Sequence, residues 1–145
     1  MTDHFRPFAA VYIMFVRDGK ILLLRRANTG YEDGMYSLVA GHIDGNETLR
    51  AAAVREAKEE AGVDIAIDDL ELKVVMHRLH DREYLDFLFE AKKWAGESTN
   101  MEPGKCDDLS WFPLSEPPSN TIPYVREVVR CYREGVRYSE WGWEK

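Results

Sequence analysis

The chain has few cysteines, no long apolar run and no excess of positive charge. Cys106 and Cys131 are far apart and form no C-x-x-C motif, which argues against a disulfide framework and indicates a reducing, cytoplasmic compartment. No apolar run reaches the roughly 18 residues of a membrane-spanning helix. The first residues also lack the basic region and apolar stretch of a secretory signal. We therefore expect no membrane partner.

The charge balance is acidic, with 19 basic and 26 acidic residues and a formal net charge of −7. A nucleic-acid-binding protein needs a basic surface that displaces counterions from phosphates, so we expect no nucleic-acid partner. A phosphorylated small molecule is still compatible with this composition, because a bound metal ion can reverse the local charge of an acidic site.

The length and composition are those of one ordinary globular domain, which we expect to cover residues 1–145. Hydrophobic residues make up 45% of the 145 residues and charged residues 31%, enough apolar material for one core. Apolar runs and turn signals predict strands over residues 8–16, 21–24, 35–40, 70–80, 84–94 and 109–112, and a second helix over 122–133 after the one described next. Strands around one central helix, with another helix at the end, predict an α/β fold with a mixed β-sheet between helices.

The segment 41–63, GHIDGNETLRAAAVREAKEEAGV, contains the central helix. Its alanines, lysine, arginines and glutamates are good helix formers. Thr48 suits the helix start, where a hydroxyl accepts from a free backbone N–H, and Gly62 is a natural stop.

Three glutamates of this helix, Glu56, Glu59 and Glu60, have i, i+3 and i+4 spacing and fall within about a third of the helix circumference. Like charges at these spacings repel one another. A divalent cation among them removes the repulsion, and magnesium is usually held by carboxylates, waters and substrate phosphates. The alternative interpretation is an acidic face exposed to solvent, the usual arrangement of charged runs on helices.

The full segment resembles the sequence motif of the Nudix hydrolases. That motif is a glycine, five residues, a glutamate, seven residues, and then Arg-Glu-apolar-x-Glu-Glu-x-Gly-apolar. The matching positions here are Gly41, Glu47, Arg55, Glu56, Ala57, Glu59, Glu60, Gly62 and Val63. A match at nine positions over 23 residues by chance is very improbable.

The resemblance implies an α/β/α sandwich and hydrolysis of a nucleoside diphosphate linked to another group, with Mg²⁺ or Mn²⁺ as cofactor. Glu56, Glu59 and Glu60 match the metal-ligand positions of the family, and the backbone carbonyl near Ala40 or Gly41 is expected to complete the metal shell. Glu47 and Arg55 match a buried pair that braces the loop against the helix. We count them with the catalytic residues, although their first role is structural.

Similarity to the MutT-type members extends beyond this motif. Arg26, in Arg-Arg-Ala, and Arg82, in Asp-Arg, match substrate-contacting positions, and Asn120, in Pro-Pro-Ser-Asn, matches a base-contacting asparagine. Glu102 is the candidate for an additional metal-binding glutamate from the late loop. The three substrate-contacting candidates have alternative interpretations. The arginines can be solvated charges at strand ends, and Asn120 can turn the chain or cap the last helix. Tyrosines 12, 31 and 36 are interpreted as packing residues.

These observations predict a Mg²⁺-dependent pyrophosphohydrolase that cleaves a nucleoside triphosphate or related nucleotide, an oxidised deoxynucleotide included, to the monophosphate and pyrophosphate. Two alternatives remain: an ADP-ribose or sugar-nucleotide diphosphatase, and a non-catalytic nucleotide-sensing domain. The run Val39-Ala40-Gly41 departs from the Pro-Gly-Gly of many members, which weakens the inference of a MutT substrate. Either a monomer or a homodimer is compatible with the sequence.

Overall fold

A computed structural model describes residues 3–143. Its elements within that range are β1 (Phe8–Arg17), β2 (Lys20–Arg26), β3 (Tyr36–Ser37), β4 (Val39–His42), α1 (Leu49–Ala61), a 3₁₀ turn (Ile67–Asp69), β5 (Leu70–Leu79), β6 (Glu83–Ala91), β7 (Cys106–Pro113), α2 (Pro123–Glu134) and β8 (Tyr138–Trp141). Both helices are too short and too polar to span a lipid bilayer.

Strand β1 is the centre of a mixed sheet. It pairs in parallel with β6 and antiparallel with β2 and β4, and its residues 10–15 are buried. Strand β5 continues the sheet beyond β6, β8 pairs with β5 in parallel, and β3 and β7 pair with β2. The continuous apolar sequence of β1 is explained by its position, because a strand covered on both faces needs apolar side chains on both.

Helix α1 covers one face of the sheet. Its start and end agree with the prediction: the Thr48 hydroxyl accepts from Ala51 N at 3.0 Å, and Gly62 ends the helix in the left-handed conformation with φ of 68°. The helix packs through small side chains, Ala52, Ala53, Ala57 and Ala61, all of which are fully buried. Small residues bring the helix close to β1 and β4, so its glutamates lie near the ends of those strands.

Helix α2 covers the opposite face. Its residues Val125, Val128, Val129 and Cys131 pack with side chains of β1, β2, β5 and β6. The sheet therefore lies between α1 and α2, which confirms the predicted α/β/α sandwich with a mixed sheet.

The structure differs from the sequence-based prediction in the segment 35–42 and at the end of the chain. Residues 35–40 form two short strands rather than one, because Tyr36 and Ser37 pair with β2 whereas residues 39–42 pair with β1. The sequence of the segment 136–145 has no clear period and predicts no element. Its residues 138–141 form β8 and extend the edge of the sheet next to β5, and residues 144 and 145 lie outside the described range.

Candidate active site

The carboxylates of α1 open into a cavity of about 460 Å³ between α1, β4 and the loop before β7. All three predicted glutamates of the helix contribute to its wall, together with Gly41, Arg26 and Glu102. Glu56 is buried, Glu60 is half-buried and Glu59 is exposed at the mouth. The structure thus places the acidic side chains of the helix at one cleft, which argues against the alternative of an acidic face turned to open solvent.

Gly41 is in direct contact with the acid group of Glu56. A Cβ atom at position 41 would overlap the Glu56 carboxylate. The glycine is therefore needed for close approach, with no unusual backbone angle to explain it. This contact brings the polypeptide backbone of β4 to a buried carboxylate of the cavity.

Glu60 is anchored to the same strand. Its Oε1 accepts a hydrogen bond from Ala40 N at 3.0 Å. Burial raises the pKa of Glu60 to about 8, although the Ala40 bond opposes the shift. Burial also raises the pKa of Glu56 to about 7, with Arg55 opposing it and Glu59 and Glu102 adding to it. Without added positive charge, the ionised forms of these groups are costly.

Arg55 and Glu47 form the bracing pair expected from the resemblance. Arg55 Nε and Nη2 donate to the two oxygens of Glu47 at 3.1 and 2.8 Å, and Asp44 N also donates to Glu47 at 2.8 Å. Arg55 Nη1 lies 3.4 Å from Glu56 and 3.5 Å from Glu59. One guanidinium therefore fixes the loop before α1 and touches two of the candidate metal ligands.

Glu102 reaches the cavity because its loop is tied to the end of α1. Thr99 N donates to Ala61 O at 2.8 Å and Met101 N to Glu60 O at 3.3 Å. The Glu102 backbone N–H donates to Asn100 Oδ1, and its carbonyl accepts from Lys105 and Cys106. The loop thus has a defined conformation that keeps Glu102 opposite the helix.

The donor set suits a hard divalent cation. Glu56, Glu59, Glu60 and Glu102 provide carboxylate oxygens, the ligands that Mg²⁺ and Mn²⁺ prefer, and two of them carry raised pKa values that a cation would reverse. Within residues 3–143, no three acidic, imidazole or thiol side chains converge tightly enough to enclose an ion in this arrangement. The four glutamates therefore share one cavity but are not gathered around a single point.

The three predicted substrate-binding residues have different positions. Arg26 lines the cavity, where its Nε donates to Tyr31 O at 2.7 Å and its Nη2 to Thr29 at 3.2 Å. Arg82 lies over the ring of Phe8 at 4.7 Å and lines neither this cavity nor the one described next. The Asn120 amide donates to Gly34 O at 2.9 Å, so in this structure it supports the loop before β3. Their substrate contacts stay predictions.

A second cavity of about 300 Å³ adjoins the first. The two share Arg26, Ala40, Gly41 and His42 in their walls. No sequence pattern indicates this cavity. Its wall includes Tyr12 and Tyr31, for which the sequence predicts only packing. Arg78 also lines this cavity and is not among the predicted site residues. It does have a sequence signal: the alternate residues Val74 and Met76 of β5 point to the core, so position 78 is expected on the same side.

Comparisons with known proteins agree with this architecture. A family model described as "NUDIX domain" matches residues 5–130. The protein "Phosphatase NudJ" of Escherichia coli (strain K12) is 29% identical over 140 residues, which cover 92% of this chain and 88% of that protein.

Two solved structures are similar over almost their whole length. The MutT NUDIX hydrolase from Burkholderia pseudomallei has a TM-score of 0.79 and 26% identity, covering 86% of this chain and 97% of that chain. A NUDIX hydrolase from Nitrosomonas europaea has a TM-score of 0.77 and 23% identity, covering 92% and 93%. At that identity the second similarity shows the fold alone.

Proposed function

This chain belongs to the NUDIX domain family and is a hydrolase of pyrophosphate bonds in nucleotide-type substrates, and on that premise we propose that it cleaves a nucleoside triphosphate to the monophosphate and pyrophosphate. The oxidised deoxynucleoside triphosphates belong to the same substrate class. We further propose that residues 1–145 act as a single domain. We also propose that it works in a reducing, cytoplasmic compartment, with which the free and buried Cys106 and Cys131 are compatible.

One observation carries this proposal: Glu56, Glu59, Glu60 and Glu102 line the same cavity as Arg26. A polyphosphate is protected from attack by its own negative charge, so catalysis depends mainly on neutralising that charge and on positioning a water molecule. A cavity lined only by carboxylates would repel such a substrate. The same cavity lined by carboxylates that hold a divalent cation, with arginine and lysine nearby, would attract it.

The side chains of this chain have distinct tasks in the proposed reaction. Glu56 and Glu60, supported by Arg55 and by the Ala40 N–H, are held in fixed positions at the inner end of the cavity. Glu59 is exposed and Glu102 lines the cavity from the loop before β7. One of the four carboxylates accepts the proton of the attacking water. Arg26 and Lys105 bring positive charge to the phosphate oxygens.

Glu56, Glu59, Glu60 and Glu102, with the backbone near Gly41, are the groups that would hold Mg²⁺ or Mn²⁺. Such an ion neutralises phosphate oxygens and lowers the pKa of a water molecule. The Arg55–Glu47 pair orients the helix and its loop without touching the substrate, so we assign it a positioning role.

A substrate panel tests the proposal. We expect the purified protein with Mg²⁺ to convert nucleoside triphosphates to monophosphate and pyrophosphate, quantified by anion-exchange chromatography. The panel also contains oxidised deoxynucleoside triphosphates, ADP-ribose and dinucleoside polyphosphates. Turnover of ADP-ribose in preference to triphosphates would replace the proposal with a diphosphatase, and binding without turnover of any compound would indicate a sensing domain.

Metal dependence is tested separately by thermal unfolding. Since Mg²⁺ would relieve the repulsion among the buried carboxylates, we expect it to raise the Tm of the wild-type protein in a concentration-dependent manner after treatment with a chelator. The variant Glu60→Gln is the comparison, because it lacks one proposed ligand and should respond less. An identical response in both proteins would remove Glu60 from the metal site.

A further inference from the structure

Tyrosine is the most frequent residue type in the wall of the second cavity. The rings of Tyr31, Tyr84 and Tyr124 are half-buried and contribute to its wall, with Tyr12 deeper in the cavity. Flat aromatic walls favour a flat guest, because ring faces stack with little loss of side-chain entropy. The cavity's acidic group, Asp81, is exposed.

Arg78 is the unusual residue of this cavity. Only 4% of its surface is exposed, yet it lines the cavity wall. Its guanidinium lies between two rings, 4.1 Å from the centroid of Tyr84 and 4.1 Å from that of Tyr124. Both faces of the guanidinium plane are therefore covered by cation–π contacts.

Two of the three guanidinium nitrogens of Arg78 already donate hydrogen bonds within the protein. Nε donates to Asp86 Oδ2 at 2.6 Å, and Nη2 donates to Asp86 Oδ1 at 3.2 Å and to the Tyr12 hydroxyl at 3.5 Å. Within residues 3–143, Nη1 has no hydrogen-bond partner. Every fully buried side-chain nitrogen or oxygen in that range does have a partner, so Nη1 is not fully buried. Nη1 is thus the part of the guanidinium that remains accessible, and the space beside Arg78 is the cavity.

The charge balance selects the kind of group that Nη1 can bind. Arg78 is paired with the Asp86 carboxylate through two charge-assisted hydrogen bonds, so the pair has little net charge. A phosphate placed here would gain little from Arg78. Arg26, the other cation of the wall, lies on the side that is shared with the first cavity, and the exposed Asp81 adds a negative charge. A neutral acceptor, such as a carbonyl oxygen or ring nitrogen, fits an N–H donor in an aromatic cleft.

We propose that this second cavity binds a planar heterocycle of the nucleobase class, and that Arg78 Nη1 reads a hydrogen-bond acceptor on that ring. The inference rests on the proposed function for the placement of the phosphates, which would occupy the first cavity. Because both cavities share Arg26, Ala40, Gly41 and His42, one ligand can extend from one into the other. Arg78 is then a specificity-determining residue and takes no part in bond cleavage.

Binding measurements with monophosphates test the proposal without any need for turnover. The probes form two matched pairs: inosine and indole riboside 5′-monophosphates, and uridine and phenyl riboside 5′-monophosphates. In each pair the rings are of similar size, but only the first carries acceptors. Ribose 5-phosphate, which has no ring, completes the set. Affinities are measured by isothermal titration calorimetry with Mg²⁺ present, because the carboxylates of the first cavity would otherwise repel the phosphate. Monophosphates contain no pyrophosphate bond, so no turnover interferes with the measurement.

Two variants separate the acceptor contact from the aromatic walls. Arg78→Lys keeps a positive charge beside Asp86 but loses the planar donor. Tyr31→Leu removes one aromatic wall and leaves the Arg78–Asp86 pair intact. Circular dichroism and Tm confirm that each variant is folded before binding is compared, and the Tyr31→Leu results stand by themselves if Arg78→Lys does not fold.

The wild type should bind the acceptor-bearing member of at least one pair about tenfold or more tightly than its partner. It should bind both members more tightly than ribose 5-phosphate. In Arg78→Lys the ratio of the two affinities within that pair should be close to one. In Tyr31→Leu the binding of both members should be weaker, and the ratio should be the same as in the wild type. Equal affinities within both pairs, an unchanged ratio in Arg78→Lys, or equally tight binding of ribose 5-phosphate would overturn the proposal.

These affinity measurements do not depend on catalysis. Failure of the substrate panel would disprove triphosphate hydrolysis but would leave a selective heterocycle site intact. Conversely, triphosphate hydrolysis with no dependence of affinity on ring acceptors would leave the proposed function standing and remove Arg78 from recognition.

Discussion

The α-carbon of Gly41 lies against the carboxylate of Glu56, with no space for a side chain between them. Gly41 belongs to β4 and Glu56 to α1, so the contact sets the distance between strand and helix at the inner end of the cavity. It also gives a physical reason for the glycine at the start of the motif in segment 41–63.

The variant Gly41→Ala tests this contact. Since the added methyl group must displace the Glu56 carboxylate or the strand, we expect kcat for triphosphate hydrolysis to fall about 10²-fold. Gly104→Ala is the matched control: a Cβ at position 104 meets no atom within 4 Å and the backbone is not left-handed, so its rate should equal that of the wild type. A wild-type rate in Gly41→Ala would mean that the position of Glu56 is unimportant for catalysis.

The proposed metal ligands Glu59 and Glu60 can be changed with little effect on the fold. In Glu60→Gln the remaining amide oxygen can still accept from Ala40 N, and Glu59 is exposed. We expect either substitution to lower kcat by about 10² or more, because the charge that binds the cation is reduced. Steady-state kinetics with Mg²⁺ measure the effect. Glu97→Gln, on the exposed loop after β6, is the control; normal rates in both test variants would refute the assignment.

The Glu47–Arg55 pair should contribute to stability in a pH-dependent manner. Hydrogen bonds from Arg55 and Asp44 lower the pKa of Glu47 below its usual value. A carboxylate with a lowered pKa in the folded state stabilises the protein above its unfolded pKa of about 4.3, and this contribution is lost as the pH falls through the folded pKa. We therefore expect Glu47→Gln to have a lower Tm than the wild type at pH 7, and the difference to shrink as the pH falls below about 4.

Asp107→Asn is the control for this experiment. Asp107 accepts one hydrogen bond, from Arg25 at 2.7 Å, and half of its side chain is exposed. Exposed ion pairs contribute little to stability, so its Tm should change little at either pH. A Tm difference for Glu47→Gln that is constant between pH 7 and pH 3.5 would show that packing, and not the ionised pair, is responsible.

The helix of the active site could be predicted from sequence because its determinants are local. Thr48 and Gly62 mark its ends through contacts within one turn, and the spacing of the glutamates fixes their common side. The pairing of residues 35–42 could not be predicted in this way. Which of β1 and β2 receives Tyr36 or Val39 depends on strands distant in sequence, and a run of six apolar and small residues does not encode that choice.

The hydrogen-bond partners of polar side chains could not be predicted from the sequence either. Asn120 fits a base-contacting position by resemblance, but its amide donates to Gly34 O in the folded chain. Arg78 and Asp86 do carry a sequence signal, since each occupies a core-facing position of its strand: Val74 and Met76 precede the first, and Leu88 follows the second. A charge at a core-facing position requires a partner, and only the fold identifies it.

The docking of β8 provides the last prediction. Gly142 follows this strand with φ of 85°, and a Cβ there would overlap the Leu79 carbonyl oxygen. Gly142→Ala therefore combines backbone strain with a collision against the strand that carries Arg78. Gly45→Ala has a similar φ of 82° but meets no atom within 4 Å, so it should lose only about 1 kcal/mol of unfolding free energy. We expect urea unfolding to show at least about twice that loss for Gly142→Ala; equal losses would mean that β8 can move away from β5 at little cost.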